Sequence, residues 1–281
     1  MLILAKDQPL RELLKAPDPG GHKGNYDHVG ILIGAVETEG AAHLCARAAL
    51  RTGASLVTLL AHGEQTTRGG ALSECMFRLL PEQITTASLA KISSLVIGPG
   101  LGQQQTLQAI ARQFAIQATA LRIPMVIDAD ALFLLTENPA QLAGARIVAT
   151  PHPGEAANLL GISVKDIEAN RLRAMHALCN LDVCKQAHVV WVLKGHSPIV
   201  AEKIDRYQIC EGHVPALSVG GSGDVLSGII AALFRQTHEM LDAALLGVTA
   251  HLAAGRLLQT KATRGHLASE IADAVPSVLF H

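Results

Sequence analysis

The chain predicts an α/β fold, with a central, mostly parallel sheet flanked by helices on both faces. Three features carry that reading. Short runs rich in Val, Ile and Leu alternate with longer helical patterns, the signature of βαβ units. Hydrophobic residues make up 49% of the 281 residues and aromatic ones only 3%, so the apolar weight lies in aliphatic side chains suited to a sheet covered on both faces. All but one of the strand-like runs end at Gly, Asp, Thr or Lys. Open α/β sheets bind their ligands just outside the carboxyl ends of the strands, so those endings mark where chemistry is expected.

In chain order, strands are expected at 28–34 (HVGILIG), 55–61 (SLVTLLA), 94–98 (SLVIG), 124–128 (PMVID), 146–150 (RIVAT) and 189–194 (VVWVLK). An Ala-rich helix is expected over 41–52, stopped by Gly53, and a long one over 104–121 behind a glycine loop. Residues 164–186 read as one helix opened by Ser163 with Asp166 three positions on. Two more helices close the pattern at 224–236 and 241–259. Residues 198–201 and 206–210, separated by 202–205, read as a late hairpin at a sheet edge. With no low-complexity linker and no internal repeat, one domain over residues 1–281 is the simplest organisation.

Charge and cysteine content narrow the partners. There are 23 Lys and Arg against 24 Asp and Glu, a formal net charge of −1 with no basic block, so no nucleic-acid partner is expected. The five cysteines, Cys45, Cys75, Cys179, Cys184 and Cys210, are odd in number and contain no C-x-x-C pair. That pattern suits reduced, mostly buried thiols in the cytoplasm. The apolar N-terminal stretch is too short for a signal peptide, and no apolar run is expected to approach the length of a membrane span. Walker A, G-x-S-x-G and H-E-x-x-H motifs are missing, which removes P-loop, esterase and zincin chemistry.

The strongest motif is Gly220-Gly221-Ser222-Gly223-Asp224, which runs into a segment whose apolar positions 225, 226, 229, 230, 233 and 234 share one helical face. Glycines just ahead of a half-buried helix make an anion site, with Gly221, Ser222 and Gly223 supplying the amides. Asp224 reads either as a general base that takes a proton from an attacking hydroxyl or as a helix N-cap. Gly98-Pro99-Gly100-Leu101-Gly102 fails the G-x-G-x-x-G spacing and reads as a tight turn or a weak nucleotide loop. In Thr150-Pro151-His152-Pro153-Gly154-Glu155 two prolines fix the direction of His152, a candidate ligand contact, while Glu155 falls in a helix's first turn. Asp128 and Asp130 end a strand. They either orient a ligand or a magnesium-bound water, or cap the next helix. Lys194, ahead of Gly195, reads as a phosphate contact or a solvated strand end.

Taken in this order, GNYDHVGILIG, Gly40-Ala41 with AALRTG, VIGPGLG, DADAL, TPHPGEAANLLG, VLKG and GGSGDVLSGIIAAL resemble the ribokinase-like family of NAD(P)H-hydrate dehydratases. The resemblance runs from about Lys23 to about Gly265, and TPHPGE followed by GGSGD is its most specific part. It implies a ribokinase-like fold and ADP-dependent dehydration of hydrated NADH or NADPH to NAD(P)H, AMP and phosphate. It also implies Mg²⁺ at the phosphates, with ligands that the sequence does not assign beyond Glu155 through a water. Position by position, Ala41, Gly102, His152 and Asp224 match hydrate contacts. Lys194, Gly195, His196, Ser197, Pro198 and Gly223 match nucleotide contacts. Four residues depart from the pattern: Val214 stands where Asn precedes Pro, Val219 where Thr or Ser precedes Gly-Gly, Phe133 where Asn follows DADAL, and Ala35 where the first strand has a second glycine.

The same anion hole and base would serve a ribokinase-type kinase acting on a vitamin precursor or a sugar, and that is the second reading. A non-catalytic nucleotide-binding protein is the third, motivated by Val214 and Val219. An epimerase for the hydrate is expected on a separate chain, and the apolar surplus is compatible with a homo-oligomer.

Overall fold

The computed structural model describes residues 13–15, 27–62 and 73–280. Residues 24–26, which open the first matched motif, and the N-terminal apolar stretch lie outside the described residues. Nine strands form one sheet: β1 His28–Leu32, β2 Leu56–His62, β3 Met76–Leu80, β4 Ser94–Ile97, β5 Met125–Ile127, β6 Arg146–Ala149, β7 His188–Leu193, β8 Ile199–Lys203 and β9 Arg206–Ile209. Their order is β3-β2-β1-β4-β5-β6-β7-β8-β9. Pairing is parallel from β3 through β7, and β8 and β9 close one edge antiparallel. The expected α/β architecture and edge hairpin are therefore present. The additional edge strand β3 was not read from the sequence. Its exposed residues Met76, Phe77 and Leu79 break any in–out alternation.

The helices are α1 Glu39–Arg51, α2 Gln105–Ala120, α3 Leu134–Glu137, α4 Pro153–Leu160, α5 Val164–Ala169, α6 Arg171–Leu178, α7 Val183–Gln186, α8 Ser222–Leu233, α9 Met240–Gln259 and α10 Ala268–Leu279. The single helix expected over 164–186 is three. Asn170 (φ −152°, ψ 80°) leaves the helical region and accepts a hydrogen bond from the Arg173 amide, so a new helix begins there. Helix α9 also corrects the membrane expectation: by length and composition alone it could cross a bilayer. It is mostly buried and packs between α8 and α10 as a core helix.

Period-2 alternation divides the apolar side chains between two cores. Val96, Val126, Val148, Val190 and Val192 face α1, α8, α9 and α10. Met125, Ile127, Ile147, Trp191 and Leu193 face the layer built by α2 to α7, around Phe114, Leu135, Ile167 and Met175. Strand order reverses between β1 and β4, so the loops leaving β1, β4, β5, β6 and β7 converge at one end of the sheet.

Helix α8 is seated by a close approach to α1. A Cβ on Gly228 would stand 2.1 Å from the Cys45 carbonyl oxygen and 3.0 Å from the Ala48 Cβ. Backbone cannot yield as a side chain can, so Gly228→Ala is expected to lower stability by at least about 1–3 kcal/mol. Chemical denaturation would show it as a lower midpoint at unchanged slope, and a wild-type midpoint would contradict this account of the α1–α8 seat.

Candidate functional site

The glycine loop after β4 is built by packing. Gly98 (φ +126°) carries the chain so close to the end of β5 that a Cβ there would lie 1.7 Å from the Asp128 carbonyl oxygen. A Cβ on Gly100 (φ +63°) would lie 2.3 Å from the Thr38 carbonyl oxygen. The turn reading of this motif is therefore correct. The loop also carries Gly102 past Ala35, and brings Gly100 against Ala41 in the first turn of α1. One turn on from Ala41, Leu44 lies against Gly221 at the head of α8.

The two carboxylates of DADAL do not act as a pair. The strand stops at Ile127, and Ala129 takes a positive φ of +47°, so the side chains on either side diverge. Asp130 accepts the Gly102 amide at 3.0 Å and so fixes the glycine loop. Asp128 is buried and receives two hydrogen bonds, from Lys194 Nζ at 2.7 Å and from Ser227 Oγ at 2.7 Å. Lys194 leaves the end of β7, and Ser227 lies on α8 one turn beyond Asp224. Three elements are thus joined at one buried carboxylate.

Lys194 is no solvated strand end. Its ammonium is also 3.7 Å from Glu155 and 3.4 Å from where a Cβ on Gly223 would be. Burial disfavours its charge, but Asp128 and Glu155 outweigh burial and hold its pKa above the ordinary lysine value. Burial raises the Glu155 carboxyl, while Lys194 pulls it the other way. Asp224 is raised to about 6, first by burial and then by the charge of Asp128, with Lys194 opposing. A carboxylate poised there is ionised at neutral pH and is basic enough to accept a proton.

Asp224 is not the N-cap of α8. That position is Gly221, in the left-handed region at φ +87°, with no side-chain cap. Asp224 stands in the first turn, where the leading amides of a helix lack intrahelical partners. The Ser222 amide makes a long 3.3 Å bond to the Val219 carbonyl, so Gly223 and Asp224 are the freer donors. Behind them, His251 of α9 sits 3.1 Å by Nε2 from Ser222 Oγ. Burial depresses its pKa to about 4, so the ring is neutral.

His152 caps α4. Its Nδ1 accepts the Gly154 and Glu155 amides at 2.9 and 3.2 Å, and its own amide donates to Glu155 Oε2 at 2.6 Å. Such a reciprocal cap places the ring proton on Nε2, which lies 3.3 Å from Glu155 Oε1. The ring also stands between two cavities. One, of about 690 Å³, is lined by Gln103, Gln108, Asp130, Phe133, Glu155 and Asn158 among others. The other, of about 400 Å³, is lined by Lys194, Gly195, His196, Pro198, Ser222 and Gly223 among others, with Val214 and Val219 in its wall. His152 lines both. Arg112 stacks over the departing Phe133 at 4.7 Å from its ring centre. Sequence reasoning missed His251 and Ser227, each of which needs a long-range contact to acquire a role. The helical spacing of Ser227 three residues after Asp224 was the one available signal.

The fold recurs in solved proteins. A Bacillus subtilis ADP/ATP-dependent NAD(P)H-hydrate dehydratase co-crystallised with ATP and Mg²⁺ superposes with a TM-score of 0.80 at 24% identity, covering 98% of each chain. A ribokinase-like superfamily protein of Enterococcus faecalis V583 gives 0.78 at 23% identity, covering 96% of this chain and 93% of its own. These likenesses establish a ribokinase-like fold. The family model for NAD(P)H-hydrate dehydratase matches residues 29–277. The chain belongs to the NAD(P)H-hydrate dehydratase family. The bifunctional NAD(P)H-hydrate repair enzyme Nnr of Escherichia coli (strain K12) is 38% identical over 97% of this chain. This chain spans about half the length of that relative, 51%. The ADP-dependent (S)-NAD(P)H-hydrate dehydratase of Xanthomonas campestris pv. campestris is 34% identical, over 94% of this chain and 91% of its own length.

The electrostatic linkage between Asp128 and Asp224 is directly measurable. In Asp128→Asn the Asp224 carboxyl is expected to titrate below about 6, because a neighbouring negative charge is gone while burial remains. Carbon-detected NMR titration of the side-chain carboxyls measures it. An Asp224 pKa that stays near 6 or rises would show that Asp128 does not set it.

Proposed function

We propose that this chain catalyses the ADP-dependent dehydration of hydrated NADH or NADPH, giving NAD(P)H, AMP and phosphate. The observation that carries the proposal is Asp224: a half-buried carboxylate raised to about 6, among the first-turn amides of α8, beside a buried Lys194. Membership of the dehydratase family and the similarity to stand-alone ADP-dependent dehydratases support the substrate assignment. The kinase reading rests on fold alone: a hydroxyethylthiazole kinase from Pyrococcus horikoshii OT3 superposes at a TM-score of 0.61 with 15% identity.

In this reading ADP occupies the smaller cavity, against Lys194, Gly195, His196, Ser197, Pro198 and Gly223. The hydrate lies toward Ala41, Gly102 and His152. Asp224 takes the proton of the ring hydroxyl as that oxygen bonds the β-phosphorus of ADP, and the α,β-bridging oxygen leaves on AMP. Lys194 and the amides of Gly223 and Asp224 stabilise the charge spread over the transferring phosphoryl. Phosphate is a far better leaving group than hydroxide. The lone pair of the ring nitrogen expels it, and loss of a proton from the adjacent ring carbon restores the double bond.

No group of three or more His, Cys, Asp and Glu side chains placed to hold a metal occurs among the described residues. The donor set still suits a cation held mainly by the nucleotide, with Glu155 as a ligand through water, since Asp128 is already committed to Lys194 and Ser227. A bound Mg²⁺ would supply charge neutralisation at the phosphates.

We further infer a cytoplasmic, homo-oligomeric enzyme whose described residues form one domain and which works alongside a hydrate epimerase activity. The five unpaired cysteines support the compartment, and the apolar edge at Met76, Phe77 and Leu79 supports self-association.

Three outcomes test the proposal. Incubation of NADH hydrate with the enzyme and ADP should restore the near-ultraviolet NADH band with stoichiometric phosphate release. A stable phosphorylated product without NADH would return the kinase reading. Asp224→Asn should lower turnover by at least about 100-fold while leaving ADP binding intact, and wild-type turnover in that variant would overturn the role of the base. Because the base must be ionised, kcat/KM should fall as pH drops through about 6 and should be flat above it. A rate that rises toward acid would exclude it.

A further inference from the structure

The motifs matched to nucleotide contacts end at the loop 194–198, but what holds that loop lies elsewhere. Two of its residues sit in the left-handed region: Gly195 at φ +118° and Ser197, which has a side chain, at φ +53°. Such a conformation persists only where surrounding structure over-determines it. The loop's own ties are few. The Lys194 amide donates to the Pro151 carbonyl at 2.9 Å, and the Pro198 carbonyl accepts the Cys210 amide at 2.8 Å. The carbonyls of Leu193 and Lys194, at the point where β7 ends, point to a different partner.

That partner is Arg171, the first residue of α6. Its Nη2 donates to the Leu193 carbonyl at 3.1 Å and to the Lys194 carbonyl at 2.8 Å. Its Nη1 donates to Glu168 of α5 at 3.2 Å, which fixes the plane of the guanidinium. The side chain is 14% exposed. It lies so close to Gly195 that a Cβ there would be 3.0 Å from Nη1 and 3.4 Å from Nη2. Arginine's fork can bridge two successive carbonyls from one planar group, whereas a lysine would offer a single point charge. Arg171 does not line either cavity.

Resting on the nucleotide assignment above, we infer that Arg171 is the positioning residue of the nucleotide loop: its guanidinium holds the 193–194 carbonyls and, by contact, the left-handed turn at Gly195, so that Lys194 to Pro198 meet ADP preformed. Removing the fork leaves the loop free to leave its left-handed turn. ADP must then bear the cost of ordering it, and affinity falls. Chemistry on bound ADP is unaffected, because Arg171 touches neither the phosphates nor the hydrate.

Arg171→Lys and Arg171→Ala test this by calorimetric titration with ADP, amide exchange over 193–198, and steady-state kinetics. The expected result is ADP binding weaker by about tenfold or more and faster amide exchange in the loop without nucleotide. It includes a raised KM for ADP with kcat at saturating ADP within about threefold of wild type, and partial recovery of Arg171→Ala affinity by added guanidinium. If Arg171→Ala fails to fold, Arg171→Lys decides the matter. Wild-type ADP affinity in a folded variant, or a drop in kcat with KM unchanged, overturns the inference. A wild-type chain that binds no ADP overturns the nucleotide assignment itself, and the inference with it.

Discussion

The buried pair between Lys194 and Asp128 is the interaction on which the rest of the site depends. It spans the sheet from the end of β7 to the end of β5, across the intervening β6. With Ser227 on the same carboxylate, it also ties the head of α8 to those two strands. A buried ion pair contributes little net stability, because desolvation cancels much of the attraction. Breaking one costs far more, because the survivor is left charged and unpaired. Its effect here is geometric: it decides where a cation stands relative to the first-turn amides and to Asp224.

The charge balance around that pair explains the chemistry. Asp128, Glu155 and Asp224 supply three carboxyl groups to one ammonium. Such a site holds more negative charge than it can compensate, so its least paired members resist ionisation. Asp128 instead holds two strong donors, Lys194 and Ser227. Asp224, half-buried and without such donors, is pushed up to about 6. In the proposed mechanism the environment would thereby separate two aspartates of the same site, one an anchor for Lys194 and Ser227 and the other a proton acceptor. Burial keeps His251 neutral behind the amides, so it adds no second positive charge to compete with Lys194.

The fold was legible because its periodicities are local. Alternating Val and Ile in short runs placed eight of the nine strands within a residue or two, and the GGSGD helix start was read two residues late. The misses have distinct physical causes. β3 is an exposed edge whose apolar residues face water, so no alternation marks it. Asn170 interrupts a helical pattern by side-chain capping, which outweighs propensity across 164–186. Within the site, DADAL was undecidable from spacing alone. The positive φ of Ala129 sends the two carboxylates to different partners, and that depends on Gly98 admitting the end of β5. Arg171, Ser227 and His251 act on residues more than 20 positions away or across helices, and carry no local signature.

His152 is at once the stop of one helix end and the partition between two chambers. Its ring cannot turn toward either occupant without releasing the Gly154 and Glu155 amides and so fraying α4 at a cost of about 1 kcal/mol. The partition therefore behaves as a stiff wall. In the proposed reaction, two ligands on either side of it would be held in a constant register with each other, and the gap across which a group must pass would be set by the folded chain before either arrives.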